Sequence, residues 1–233
     1  MIIFNGADFE EIAPEKIKID DILVSPLNAQ PVERQRVGLG QDYVRMTGGQ
    51  RTITITFAIL EEDINERVNV LEKIKEWAKP WEEHPLILPM YEDKHFDCRC
   101  TKFPEPSYRM WWESKLRLVF STFENPYLTS NDENRANAGE PLTIGGTAPP
   151  LVAIERRLTS RVANQTYSCN GRSMFFSQIP AGSLRIDLNK ETAEVSGVSI
   201  MKYFGKTSKF IQPINGNMEI TGTGTIIYRE RWK

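Results

Sequence analysis

The sequence predicts an α+β domain over residues 1–130 followed by an all-β sandwich over residues 131–233, and three observations carry that division. Residues 51–60 alternate between apolar and hydroxyl-bearing side chains with a period of two, the pattern of a half-buried strand. The segment that follows repeats its apolar residues at helical spacing up to Pro80. Beyond Pro141 the helical period is gone, and short strand-like runs follow one another between turn pairs.

Taken in order, residues 1–4 form a first strand closed by Asn5-Gly6, a pair that accepts positive φ, and residues 7–10 resume it. Residues 16–24 begin as a strand with Ile17 and Ile19 on one face. From residue 25 to residue 50 the periodicity disappears among Pro26, Pro31, Gly38, Gly40, Gly48 and Gly49, with Arg34, Arg36 and Arg45 between them. A structureless loop of that length is either a solvated mobile segment or one that binds something. Ile53, Ile55, Phe57 and Ile59 then mark the buried face of the core strand, with Thr52, Thr54 and Thr56 on the other. Asp63 with Glu66 three residues on reads as a capping box, and Ile64, Val68, Leu71, Ile74 and Ala78 make the inward stripe of a helix lying on the sheet. Residues 85–91 and 96–101 read as a hairpin, and residues 115–123 as a strand with Leu116, Leu118 and Phe120 inward.

Residues 129–139 are polar and free of aromatics, the composition of a linker. After it, strands are expected at 151–158, 162–169, 173–179, 184–188, 192–199 and 218–232, punctuated by Asn170-Gly171, Ala181-Gly182, Asn189-Lys190 and Asn215-Gly216. This rhythm is that of a β-sandwich or jelly roll.

The net charge of −2 hides an asymmetry. Residues 1–130 hold 22 acids against 16 bases, an excess of six acids, and residues 131–233 hold 9 acids against 13 bases, an excess of four bases. Neither part interleaves Lys/Arg clusters with stacking aromatics, so duplex nucleic-acid binding is not indicated. No apolar run approaches the ~20 residues of a membrane helix, and no secretory leader is legible, so membrane insertion is not expected. Three cysteines, with Cys98 and Cys100 two apart on one strand, fit synthesis in a reducing cytosol.

Chemistry is hard to find, and no enzyme activity or cofactor is expected. His84, His95, Cys98 and Cys100 form the one His/Cys group, and Cys-x-Cys on a strand is not a zinc knuckle. Gly145-Gly146 and 221–224 lack the Lys or helix that would cradle a phosphate, so these glycines read as turns or bulges. With 31 acids a hydrolase pair is conceivable on number alone, but runs such as Glu61-Glu62-Asp63 are by default solvated. Trp111 and Trp112, adjacent on a strand, face opposite sides, which favours packing over sugar stacking.

In order and spacing, several short features resemble the distal tail proteins of long, non-contractile-tailed bacteriophages and related prophages. They are Phe4-Asn5-Gly6, the Gly49-Gln50-Arg51-Thr52-Ile53-Thr54-Ile55 strand after a long loop, the helix at 67–77, the strand at 120–127 ending in Asn-Pro-Tyr, and the β-rich remainder closing on Ile227-Tyr228-Arg229-Glu230-Arg231-Trp232. The resemblance implies an N-terminal domain that closes into a hexameric ring, joins tail tube protein to tip or baseplate proteins, and leaves a channel through which DNA passes. It also implies a galectin-like C-terminal sandwich outside the ring and a place at the virion tail tip, after assembly in the bacterial host cytoplasm. The closing strand, 226–232, belongs either to the sandwich or to the ring domain. On that reading Arg34, Arg36, Arg45 and Arg51 are the oligomer-interface candidates, because a basic loop beside an acidic domain suits a head-to-tail contact. A channel lining richer in Asp and Glu than in Lys and Arg is expected from the acidic first domain.

The reading from another class is a carbohydrate-binding module or adhesin for a bacterial cell surface. It requires an exposed aromatic platform in the second half, where Tyr167, Phe175, Phe176, Tyr203, Phe204 and Tyr228 are available.

Overall fold

The computed structural model describes residues 1–27, 49–79, 82–104 and 115–233, together with the backbone of 30–35 and 41–47. The chain divides into two compact units, Met1–Leu128 and Thr129–Lys233.

The first unit is built on two sheets that share a strand. In chain order its strands are β1 (Ile3–Phe4), β2 (Ala7–Asp8), β3 (Ile17–Val24), β4 (Gln30–Gln35), β5 (Gln41–Thr47), β6 (Thr52–Ile59), β7 (His84–Ile87), β8 (Lys94–Lys102) and β9 (Leu116–Ser121). One sheet runs β3–β6–β9–β8, and the other continues from β8 through β7 and β1 to β2. The N-terminal part of β8 pairs with β7, at Phe96↔Leu86, and its C-terminal part with β9, at Cys100↔Phe120. Asn5 and Gly6, both at positive φ, close the β1–β2 turn.

Helix α1 (Ile64–Ala78) covers one sheet face. Asp63 caps it, its carboxylate accepting from the N–H groups of Asn65 and Glu66. The reciprocal half of a capping box is replaced by another contact, because the Glu66 carboxylate accepts from Lys16 Nζ at 3.2 Å. The inward stripe also differs from the expected one: Val70, Leu71, Ile74, Trp77 and Ala78 are buried, while Val68 is 37% exposed. Trp77 is the reason, since its large ring takes the central place in the core. It meets Phe4, Phe9 and Phe120 at centroid distances of 5.6, 4.9 and 6.0 Å. Ile53, Ile55, Phe57 and Ile59 of β6 are buried in this core, as are Leu116, Leu118 and Phe120 of β9.

The stretch 25–50 is not the structureless loop its composition suggests. β4 and β5 pair as an antiparallel hairpin in which Val32 faces Arg45 and Arg34 faces Asp42. The sequences of both strands, Gln-Pro-Val-Glu-Arg-Gln and Gln-Asp-Tyr-Val-Arg-Met-Thr, mix charged, polar and apolar residues without a period of two, so this hairpin leaves no hydrophobic signal.

Residues 129–139, read above as a linker, carry strands. β10 (Leu128–Ser130) straddles the unit boundary, and β11 (Asn134–Asn137) pairs with β20 (Thr225–Trp232). Thr129 is buried. The second unit adds β12 (Pro141–Ile144), β13 (Ala148–Leu158), β14 (Val162–Cys169), β15 (Arg172–Ile179), β16 (Gly182–Asp187), β17 (Thr192–Val195), β18 (Val198–Ser199) and β19 (Gly216–Glu219), with a 3-10 turn at Met201–Tyr203. A sheet ordered β18–β17–β16–β13–β20–β11 and the pairs β12–β19 and β14–β15 enclose one core. Ile154, Ile186 and Ile226 from the larger sheet share it with Tyr167, Met174, Phe176, Leu142 and Met218 from the pairs. The run expected as one strand at 218–232 is broken into β19 and β20 by residues 221–224, and β20 pairs with β13 and β11. The break is held in place by Thr221, whose N–H and carbonyl pair with Ser168 of β14.

Candidate assembly surfaces

In the first unit, α1 and the aromatic core occupy one face of the β3–β6–β9–β8 sheet. The opposite face follows from register. Thr52, Thr54 and Thr56 of β6, each half-buried, lie beside Ser121, Val119 and Arg117 of β9 on one side. On the other side Leu23 pairs with Thr54 and Asp21 with Thr56, and Lys18 pairs with Ala58. Thr101 of β8 continues the surface, its hydroxyl donating to the Val119 carbonyl at 3.2 Å and lying 3.0 Å from Ser121 Oγ. Thr52, Thr54 and Thr56 with Ser121 and Thr101 thus form a hydroxyl-bearing band, with Leu23 and Val119 on either side of Thr54 and Asp21 and Arg117 on either side of Thr56.

The face ends at an edge. Among the described residues β3 pairs only with β6, so its outer N–H and C=O groups have no strand partner. Leu23 stands on this edge at 62% exposure. An edge of this kind offers backbone pairing to another chain.

Of the four arginines singled out in the sequence, Arg34 and Arg45 lie on β4 and β5 with side chains outside the described residues, and Arg36 lies outside them altogether. Trp111 and Trp112 are outside them as well. Arg51 is described. It sits just before β6, half-buried, with its guanidinium 5.8 Å from the centroid of the Phe96 ring. Its backbone N–H donates to Thr122 Oγ1 at 2.9 Å.

On the outward side of β8 and the turn after β9, Arg99 stacks on Phe123 at 3.8 Å. Partial burial, together with Asp97 and Glu124 nearby, pushes the Glu83 carboxyl above its ordinary range. Asp97 accepts from the Asn125 amide at 3.1 Å. Cys98 and Cys100 point into the core of the same strand, and burial raises both thiols, Cys100 to about 11. Neither is an activated nucleophile at neutral pH. No group of three His, Cys, Asp or Glu side chains with metal-binding geometry is found among the described residues.

In the second unit the aromatics that a glycan platform would need are mostly inside. Tyr167 and Phe176 are fully buried, and Phe204 stacks on Phe210 at 4.8 Å and meets Phe176 edge-on. Of the six residues, Phe175 at 36% is the one that qualifies as exposed. A shallow cleft of about 190 Å³ has Leu151, Ala153 and Ile227 in its floor and Glu133, Arg185 and Arg229 at its rim. Arg185 is paired with Glu155, and Arg229 donates to the Asn131 carbonyl at 3.2 Å. These side chains are engaged with one another rather than aimed at a ligand. No helix among the described residues is long and apolar enough to cross a membrane.

No protein-family model matches the chain, and no curated protein matches it. Among solved structures, the crystal structure of SPP1 Dit (gp 19.1) protein aligns with a TM-score of 0.73. The alignment covers 100% of this chain and 98% of that one. The fold is that of the SPP1 Dit protein. That protein is described as a paradigm of the hub adsorption apparatus in phages that infect Gram-positive bacteria. With 14% sequence identity to Dit, the two chains share a backbone course across both units rather than a common set of surface side chains. Two structures of the phage P2 baseplate in its activated conformation, with calcium and with strontium, align at a TM-score of 0.45 and 10% identity. They cover 95% and 94% of this chain and 92% and 91% of those chains.

Proposed function

We propose that this chain is a structural subunit of a phage or prophage tail tip, in which the first unit closes into a hexameric ring joining tail tube to tip or baseplate proteins. The second unit, whose regular structure is strands with one 3-10 turn, is read as a β-sandwich carried by that ring. The observation that carries this reading is the end-to-end correspondence with SPP1 Dit, which covers both units of the chain with no large unmatched segment.

Two features of the first unit support it. Among the described residues β3 presents an edge without a strand partner, and a head-to-tail contact that closes on itself removes such edges. The helix-free face of the same sheet carries a band of Thr and Ser, which suits the wall of a passage for DNA. Duplex DNA bears a negative charge about every 1.7 Å of its axis, and a wall lined with cations would hold it through counterion release. Hydroxyl groups make no such contact. On this reading the lining is hydroxyl-bearing with mixed flanking charge, instead of the acid-dominated lining expected from the excess of acids in residues 1–130.

Negative-stain microscopy of the purified chain tests the proposal. Six-fold rings with a central opening are expected, and particles that remain monomeric at high protein concentration would refute self-assembly into a hub. Replacing Thr54 and Thr56 with Lys should then leave rings intact while making them retain duplex DNA at low salt; equal retention by the unmodified ring would remove this face from the channel.

A further inference from the structure

Arg51 is held in surroundings that do not match its charge. Its main chain is satisfied, since the N–H donates to Thr122 Oγ1 and the carbonyl accepts from the Thr122 N–H at 3.0 Å. Its side chain is not. Nε is buried and has no hydrogen-bond partner, and the head group rests over Phe96. Phe96 in turn is packed against Tyr91 at a centroid distance of 6.1 Å. The one ionisable neighbour that favours the charged guanidinium is the Tyr91 phenol, and burial pulls its pKa below the ordinary value. Lys16 has Glu61 and Glu66, Lys94 has Asp93, and Lys115 has Asp20 at hand, and what sets Arg51 apart is a buried Nε over an aromatic ring. Part of the Arg51 head group is thus withdrawn from water with no carboxylate paired to it among the described residues, a state that costs some stability in an isolated subunit.

We propose that Arg51 is the receptor for a carboxylate of a second copy of this chain. The inference rests on the self-assembly reading and deepens it by naming one contact. A head-to-tail contact joins unlike patches, so each free subunit is left with half of every pair that spans it. An arginine with no acid of its own is one such half, and its flat guanidinium can take both oxygens of a carboxylate. The other half is plentiful, because residues 1–130 hold 22 acids against 16 bases. A nucleic-acid phosphate is a poorer match. A phosphate track needs several cations in a row, and residues 1–130 carry more acids than bases.

The test compares the unmodified chain with Arg51→Gln and Arg51→Lys by mass photometry over a range of protein and salt concentrations, alongside thermal melts under monomeric conditions. Arg51→Gln should raise the concentration needed for assembly by about tenfold or more, with Arg51→Lys in between. The melting temperature of the Gln monomer should equal or exceed that of the unmodified monomer, because the unmatched charge is gone. Assembly of Arg51→Gln at the same concentration as the unmodified chain would overturn the assignment alone, leaving the ring standing. A Gln monomer that melts several degrees lower would also overturn it, by making Arg51 an internal support. An unmodified chain that never assembles would overturn the ring reading, and this contact with it.

Discussion

The indole Nε1–H of Trp77, on the last turn of α1, donates to the carbonyl of Ala7 at 2.8 Å across 70 residues of sequence. The same ring packs on Phe4, Phe9 and Phe120, so one side chain ties the helix to the N-terminal hairpin and to β9. Trp77→Phe keeps one six-membered ring but removes the donor and part of the indole's volume, and should cost about 2 to 3 kcal/mol. Trp77→Ala empties the centre of the core and should cost about 3 to 5 kcal/mol. Urea titration measures both, and equal losses would show that the hydrogen bond, not packing, dominates.

Ile55 is fully buried on β6, while Thr54 beside it is half-buried on the opposite face. Ile55→Asp places an unpaired charge in the core at a cost of several kcal/mol, against a total stability of about 5 to 15. Soluble expression should be lost. Thr54→Asp should still yield soluble protein, and comparable soluble yields from the two variants would contradict the assignment of faces.

Gly222 stands in the break between β19 and β20 at φ +136°, and a Cβ there would lie 2.5 Å from the ring of Tyr167. Tyr167 is fully buried, so its ring has little room to retreat. Gly222→Ala should destabilise the second unit by about 2 kcal/mol or more, from backbone strain and overpacking together. Gly171, at φ +73° in the β14–β15 turn, has nothing within 4 Å of its would-be Cβ. Its replacement by Ala should cost about 1 kcal/mol. Calorimetry separates the two, and the reverse order would contradict the close approach at Tyr167.

Partial burial and the neighbouring carboxylates of Asp97 and Glu124 raise the Glu83 pKa in the folded chain. The folded state therefore keeps this proton to higher pH than the unfolded state does. The associated stability is present below the unfolded pKa, about 4.3, and is lost as pH rises through the folded value. Glu83→Gln cannot lose a proton. Its urea midpoint should exceed that of the unmodified chain at pH 7, with the difference vanishing toward pH 4. A lower midpoint for the Gln variant at pH 7 would reverse the assigned sign.

Particular elements explain how much of this was legible beforehand. β6 and β9 announce themselves because each buries one face and exposes the other, so the period of two is written into residue type. The Asn170-Gly171 turn and the full span of β14 are readable for the same local reason. β11, with the sequence Asn-Arg-Ala-Asn, is not: its place is set by backbone pairing to β20, and pairing leaves no hydrophobic mark. The β4–β5 hairpin is hidden in the same way. On α1, Val68 continues a helical series as well as Trp77 does, and only the volume needed between Phe4, Phe9 and Phe120 chooses Trp77. Arg51 shows the limit for assembly surfaces. Its charge is plain in the sequence, but that no acid among the described residues pairs with it is a fact of three dimensions.

The position of β20 sets the timing of folding. It lies between β13 and β11, and its partner on β11 at Arg135 is Ile227. At about 5 to 20 residues per second, the chain between β11 and β20 takes on the order of 5 to 20 seconds to synthesise, and the shorter stretch between β13 and β20 somewhat less. For that interval the facing edges of β11 and β13 wait without the strand that fills the gap between them. Until β20 arrives, those two edges are open to pairing with another nascent second unit, a liability that the finished sheet removes.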